Sequence, residues 1–145
     1  MSAFSAARRA EVAARAGHLC EYCHLATRGQ VATFPIDHIT PKAAGGTTRP
    51  DNLALTCPHC NAHKWEATEA ADPVTGERVR LFHPRQDRWP DHFEWATGTG
   101  ELAGCTAVGR ATVAALAINA PDMIELRLLL AKLGLFDILA QRKND

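Results

Sequence analysis

Two Cys-x-x-Cys pairs, Cys20/Cys23 and Cys57/Cys60, constrain the fold of this chain more than any other feature of it. Closely spaced thiolates on short loops lose little side-chain entropy on converging, and zinc favours four such ligands in a tetrahedron. The pairs therefore predict a zinc ion that clamps an N-terminal segment onto the start of a helix near Asn61. Four thiolates leave no open coordination position, so the ion is structural rather than catalytic. Cys105 makes the cysteine count odd. With no secretion signal, that points to reduced thiols rather than a disulfide framework. His24 and His59 adjoin the knuckles and are the side chains that could replace a thiolate; the simpler reading leaves both on the surface. The alternative to a metal is a pair of unliganded buried knuckles.

Lys+Arg and Asp+Glu both total 16 in 145 residues, so the chain lacks the bulk positive charge of many nucleic-acid binders. An anionic substrate must then be held locally. Hydrophobic residues make up 46% and charged residues 22%, which suits a folded globular chain and argues against wholesale disorder. No apolar run reaches membrane-spanning length, and Arg8 and Arg9 are not followed by an apolar signal core. A cytoplasmic location without membrane partners is the expectation.

Residues 5–16 are rich in Ala, Arg and Glu and are followed by Gly17, which predicts an N-terminal helix. "VATFPIDHI" reads as two short or edge strands interrupted by Pro35 and reaching His38. "PKAAGGTTRPDN" is a polar loop, and "LALTCPHCNAHKWEATEA" begins as a short apolar strand and turns helical beyond Pro58. Residues 72–77 form a turn, "RVRLFHP" and "HFEW" two further strands. Thr106 caps one C-terminal helix and Pro121 opens another that ends at Gly134.

The chemistry lies between the knuckles. Asp37 and His38 close the first strand, Asn52 follows the loop, and Asn61 comes directly after Cys60. Read as "DHITPKAAGG...DNLALTCPHCNAHK", this order resembles the HNH endonuclease family over roughly Cys20 to Trp65, about a third of the chain. The resemblance implies an α+β protein: a ββα-metal core clamped by the four-cysteine zinc site, then a small strand-containing segment and C-terminal helices. On that reading residues 1–71 hold the N-terminal helix and nuclease core, and residues 72–145 a C-terminal extension packed on it. It also implies a metal-dependent cut of a DNA phosphodiester, RNA not being excluded, that leaves a 5′-phosphate and a 3′-hydroxyl.

The roles follow residue by residue. An imidazole titrates near neutral pH, and the resemblance assigns His38 as general base toward the attacking water. Asp37 and Asn61 become oxygen ligands of magnesium or another hard divalent cation. Asn52 takes a structural role in the site, its amide bridging loop backbone so that His38 stays aimed. Asn61 stands where the family name has a final histidine, which puts metal preference in question. A rival metal pair is His59 with His63, one helical turn apart and suited to zinc or nickel.

Adjacent strand residues point to opposite faces, so Asp37 and His38 serve one phosphate only where the strand twists or ends. Without a site, Asp37 caps a turn and His38 packs in the core. Lys42, Arg49 and Lys64 border the proposed site as phosphate contacts, or else as solvated charges. The aromatic stretch from Asp72 to Trp95 is a nucleic-acid stacking surface or, more simply, the core of a small sheet. Cys105 reads as a buried inert thiol. Met123 to Leu139 is a core helix or the face of a homodimer. The competing function is a noncatalytic zinc module that binds nucleic acid or protein.

Overall fold

A computed structural model describes residues 4–136. Helix α1 (Ala6–Arg15) begins where the Ser5 hydroxyl accepts from the Arg8 amide, and the chain leaves it through Gly17 at φ +63. Its buried residue, Val12, faces the core, and Arg15 donates to the carbonyls of Pro50 and Leu53. This fixes α1 against the segment that leads into the site.

Strand β1 (Ile36–His38) pairs antiparallel with β2 (Leu53–Leu55), Asp37 opposite Ala54 and His38 opposite Leu53. Only one strand forms within "VATFPIDHI": the Pro35 carbonyl still accepts from the Thr56 amide at 3.0 Å, but Pro35 has no N–H to give back, so the ladder ends there. Helix α2 (Pro58–Lys64) follows β2, with Pro58 in its first turn. Thus β1, β2 and α2 make a ββα unit. The helix is shorter than the sequence suggests, since the chain reverses at Trp65 and residues 69–71 form a strand instead.

That strand, β3 (Glu69–Ala71), pairs with β4 (Arg78–Arg80). Buried Asp72 ties their turn, accepting from the Val74 amide and the Thr75 hydroxyl and, through both oxygens, from the Arg110 guanidinium at 2.9 and 2.8 Å. The short helix α3 (Trp89–His92) leads into β5 (Phe93–Trp95), which pairs with β6 (Leu102–Gly104). Helix α4 (Ala107–Ala115) is capped by Thr106, whose hydroxyl accepts from the Gly109 amide, and packs on β3, β4 and β6. Helix α5 (Pro121–Lys132) ends just before Gly134 at φ +72; residues 137–139 of the longer apolar run lie outside the described residues. It is anchored by Arg127, fully buried, which donates to the Gly100 and Ile118 carbonyls and to Asn119 Oδ1.

The architecture is α+β, a ββα unit beside two further antiparallel ribbons and C-terminal helices. One apolar cluster joins these parts, with Val12, Tyr22, Phe34 and Leu53 from the N-terminal region and Phe82, Phe93, Trp95 and Leu102 from beyond it. The Trp89 indole donates to the Tyr22 carbonyl at 2.9 Å, and His24 stacks on the Trp89 ring at 3.8 Å between centroids. The aromatic stretch is therefore core, not an open stacking surface. Cys105, by contrast, is exposed rather than buried, because it sits between the end of β6 and the cap of α4. Among the described residues no helix is long and apolar enough to cross a membrane.

Candidate functional site

The metal-ligating cluster is assembled from a tight turn and a helix start. The His24 amide donates to the Cys20 carbonyl and the Cys20 amide to that of Leu25, a turn that His24 closes at φ +63 and that brings Cys20 and Cys23 together. Cys57 caps α2, its sulfur accepting from the Cys60 amide at 3.3 Å. All four Sγ atoms lie within 4.8 Å of one another, with Cys23 and Cys57 at 3.8 Å, and all four residues are buried. A tetrahedron with zinc–sulfur bonds of about 2.3 Å has edges of about 3.8 Å, so the spacing fits that ion. Contacts with the Cys20 sulfur split the group, pushing the Cys23 and Cys60 thiols up and holding Cys57 down. A bound cation would draw all four thiols into the thiolate form. The four cysteines are arranged to bind a metal.

The ββα unit also borders an open cleft of about 260 Å³ lined by Asp37, His38, Lys42, Asn61, Trp65 and Glu66, among others. It gathers the aspartate and histidine from the end of β1 and the asparagine from the first turn of α2. The strand ends at His38, where regular alternation stops, and the Ile39 amide makes a last bond to the Asn52 carbonyl. Adjacent residues can thus border one cavity.

Asp37 is only 6% exposed. Its Oδ2 accepts from the Tyr22 hydroxyl at 3.0 Å and lies 3.0 Å from the Lys64 ammonium. Burial pushes the Asp37 carboxyl up, while Lys64 and Tyr22 work against that rise. The Tyr22 hydroxyl is itself driven well up by burial and by the neighbouring carboxylate. His38 is half-buried, with Nε2 within 3.2 Å of the Thr48 hydroxyl and its ring against Phe4. Burial lowers its pKa and the Lys42 cation adds to the fall, so the imidazole is neutral at neutral pH.

Asn52 uses its whole amide on the loop. Its Oδ1 accepts from the Thr40 amide at 2.8 Å, and its Nδ2 donates to the carbonyls of Thr40 at 2.9 Å and Thr47 at 2.7 Å. The loop closes tightly enough that a Cβ on Gly46 would collide with the Thr40 carbonyl, which accounts for a glycine there. Because Thr48 touches His38, this bracing reaches the imidazole.

The basic residues separate. Lys42 is exposed and lines the cleft. Arg49 is exposed at the cap of the short turn Pro50–Asn52 and is not among the cleft residues. Lys64 is neither a surface phosphate contact nor a solvated charge: it is 2% exposed, paired with Asp37, and donates to the Ile39 carbonyl at 3.0 Å. The rival pair also turns away, since His59 Nε2 bonds the Ala117 carbonyl and the His63 ring packs on that of His59. Neither histidine lines the cleft.

Sequence reasoning missed the inner partners of Asp37. Tyr22 lies between the two cysteines of the first knuckle, where the sequence pattern assigns it no role. Lys64 lies three residues after Asn61, and that helical spacing was the signal that both face one side.

Residues 20–66 match the family model described as HNH endonuclease. The matched segment holds both knuckles, β1, β2 and α2, so this part of the chain is similar to an HNH unit and carries four cysteines arranged to bind a metal, which supports a nuclease-like or nucleic-acid-related function. No curated protein and no solved structure matches the chain significantly.

Proposed function

We propose that the protein is a metal-dependent endonuclease that hydrolyses phosphodiester bonds of DNA. The observation that carries this reading is the convergence of Asp37, His38 and Asn61 on one open cleft within the HNH unit. Tyr22 and Lys64 occupy Oδ2 of Asp37, leaving Oδ1 as the oxygen for a hard cation, with the Asn61 amide oxygen as a second ligand. When bound, magnesium or a similar divalent ion would supply positive charge at the scissile phosphate and the departing oxygen. Such ions keep several waters, so these two protein oxygens suffice.

The neutral imidazole of His38 takes the proton of the attacking water as its oxygen bonds to phosphorus. The P–O3′ bond breaks, and the leaving oxygen collects a proton from solvent. Thr48 and, behind it, the Asn52 brace hold the ring in place. Lys42 at the rim attracts the phosphate backbone without reading bases. A cytoplasmic setting suits a chain whose metal-binding thiols must stay reduced.

One observation favours a second reading. Asp37 is already neutralised by a buried lysine, which gives it a structural reason to exist, as a noncatalytic zinc module would require. Zinc-loaded protein incubated with supercoiled plasmid and magnesium separates the two. Nicking by the wild type that falls at least about a hundredfold in His38→Ala supports the endonuclease. Equal nicking by both, or by neither, rejects His38 as the base.

A further inference from the structure

Trp65 combines two features that folding alone disfavours. Its side chain is 77% exposed, and its backbone sits at φ +45, ψ −112, where a bulky residue is a genuine outlier. Glycine would make the same reversal after α2 without that cost. Among the described residues no aromatic ring packs on the indole and no polar group bonds it. The residue nevertheless stands on the wall of the cleft that holds Asp37, His38 and Asn61, with Lys42 and Glu66 as its charged neighbours there. Retained strain at a cleft is a pointer toward ligand contact rather than packing.

From this we infer that Trp65 is a stacking platform for a nucleobase beside the scissile phosphate, and that the preferred substrate is DNA with an unpaired base there. The inference rests on the nuclease reading above for its placement. An open indole face gains most from a base whose own face is free, and freeing one from a duplex costs several kilocalories of stacking and pairing. Single strands, flaps and gaps avoid that cost. The overall charge of zero also deprives the chain of the long-range attraction that usually supports duplex binding, whereas stacking on an aromatic platform is a common device for holding single strands. Lys42 then holds the backbone while Trp65 holds the base.

The test measures binding of the zinc-loaded full chain, without added magnesium, to a labelled oligothymidylate strand and to its duplex with oligoadenylate, by fluorescence anisotropy at fixed salt. Trp65→Gly removes the indole while accepting the backbone conformation, and Trp65→Phe keeps a smaller ring. The single strand should bind about tenfold more weakly to Trp65→Gly, Trp65→Phe should recover most of the loss, and the duplex should bind all three proteins alike. A strand of abasic spacers should bind the wild type as weakly as the thymidylate strand binds Trp65→Gly. Equal affinity of wild type and Trp65→Gly for the single strand overturns the inference, as does an indole-dependent advantage that survives on the abasic strand. Because binding is read without cleavage, failure of the nuclease reading would show separately as an absence of plasmid nicking.

Discussion

Lys64→Met removes the ammonium that faces Asp37 while keeping an unbranched side chain of similar length. In the folded protein Lys64 is 2% and Asp37 6% exposed, and the ammonium also donates to the Ile39 carbonyl. Breaking a buried pair by removing one partner costs about 3–5 kcal/mol, because the remaining charge stays desolvated. For a chain of this size a loss of about 1 kcal/mol lowers Tm by roughly 3 °C, so the variant should melt about 10–15 °C below the wild type at pH 7. The pH dependence has a definite sign. Burial already raises the Asp37 pKa above its ordinary value of 3.8, with Lys64 holding it down, and losing Lys64 raises it further. A carboxyl raised in the folded state contributes most below its unfolded pKa and loses that contribution as the pH rises through the folded value. The deficit of Lys64→Met should therefore be small in acid and grow toward neutrality. Adding Asp37→Asn should recover at least half of the loss at pH 7, since an amide needs no counter-charge. Thermal unfolding of the zinc-loaded protein, followed by far-UV circular dichroism at several pH values without magnesium, reads all of this. A melting point within about 3 °C of wild type at pH 7, or a double variant no better than additive, would refute the buried-pair account.

Other predictions follow from the same geometry. Stripping the metal with a chelator, or Cys57→Ser, should unfold the knuckle region and open residues 20–66 to protease, because metal binding and folding are coupled in such sites; unchanged protease resistance after verified metal loss would contradict this. Asn52→Ala should cost about 2–3 kcal/mol, the loss of three hydrogen bonds that brace the loop, seen as a lower urea midpoint. With its pKa depressed below the ordinary 6.5, His38 should stay a free base into mildly acid solution, so the acid limb of kcat/KM for nicking should fall below pH 6.5 and vanish in His38→Ala.

The ββα unit was legible because its signals are local. Knuckle spacing, a proline in the first turn of α2 and the order Asp-His, Asn, Cys-Asn are all written in short stretches. The bracing role of Asn52 came only through the family resemblance, and its three hydrogen bonds to the loop agree with it. What the sequence hid depends on contacts between distant segments. Strand β6 is three residues long and exists only because Leu102 finds Trp95 across a turn. The helical reading beyond Lys64 failed because residues 69–71 find β4, a tertiary choice that outweighs local helix propensity. The burial of Lys64 likewise required Asp37 and Tyr22 to arrive from other elements, and a lysine is rarely interior without such partners. Cys105 misled in the opposite sense: a lone apolar thiol usually hides, and this one lies at an exposed junction.

The central claim is that one carboxylate, one amide oxygen and one imidazole address a single cation-bound phosphate. Crystals of His38→Ala soaked with manganese and a short DNA strand, with anomalous scattering used to locate the ion, test it most directly. The account predicts a manganese peak in the cleft, about 2.0–2.3 Å from Asp37 Oδ1 and the Asn61 amide oxygen and in contact with a phosphate oxygen. Manganese absent from that cleft, or held by His59 and His63 while the DNA lies elsewhere, would contradict it.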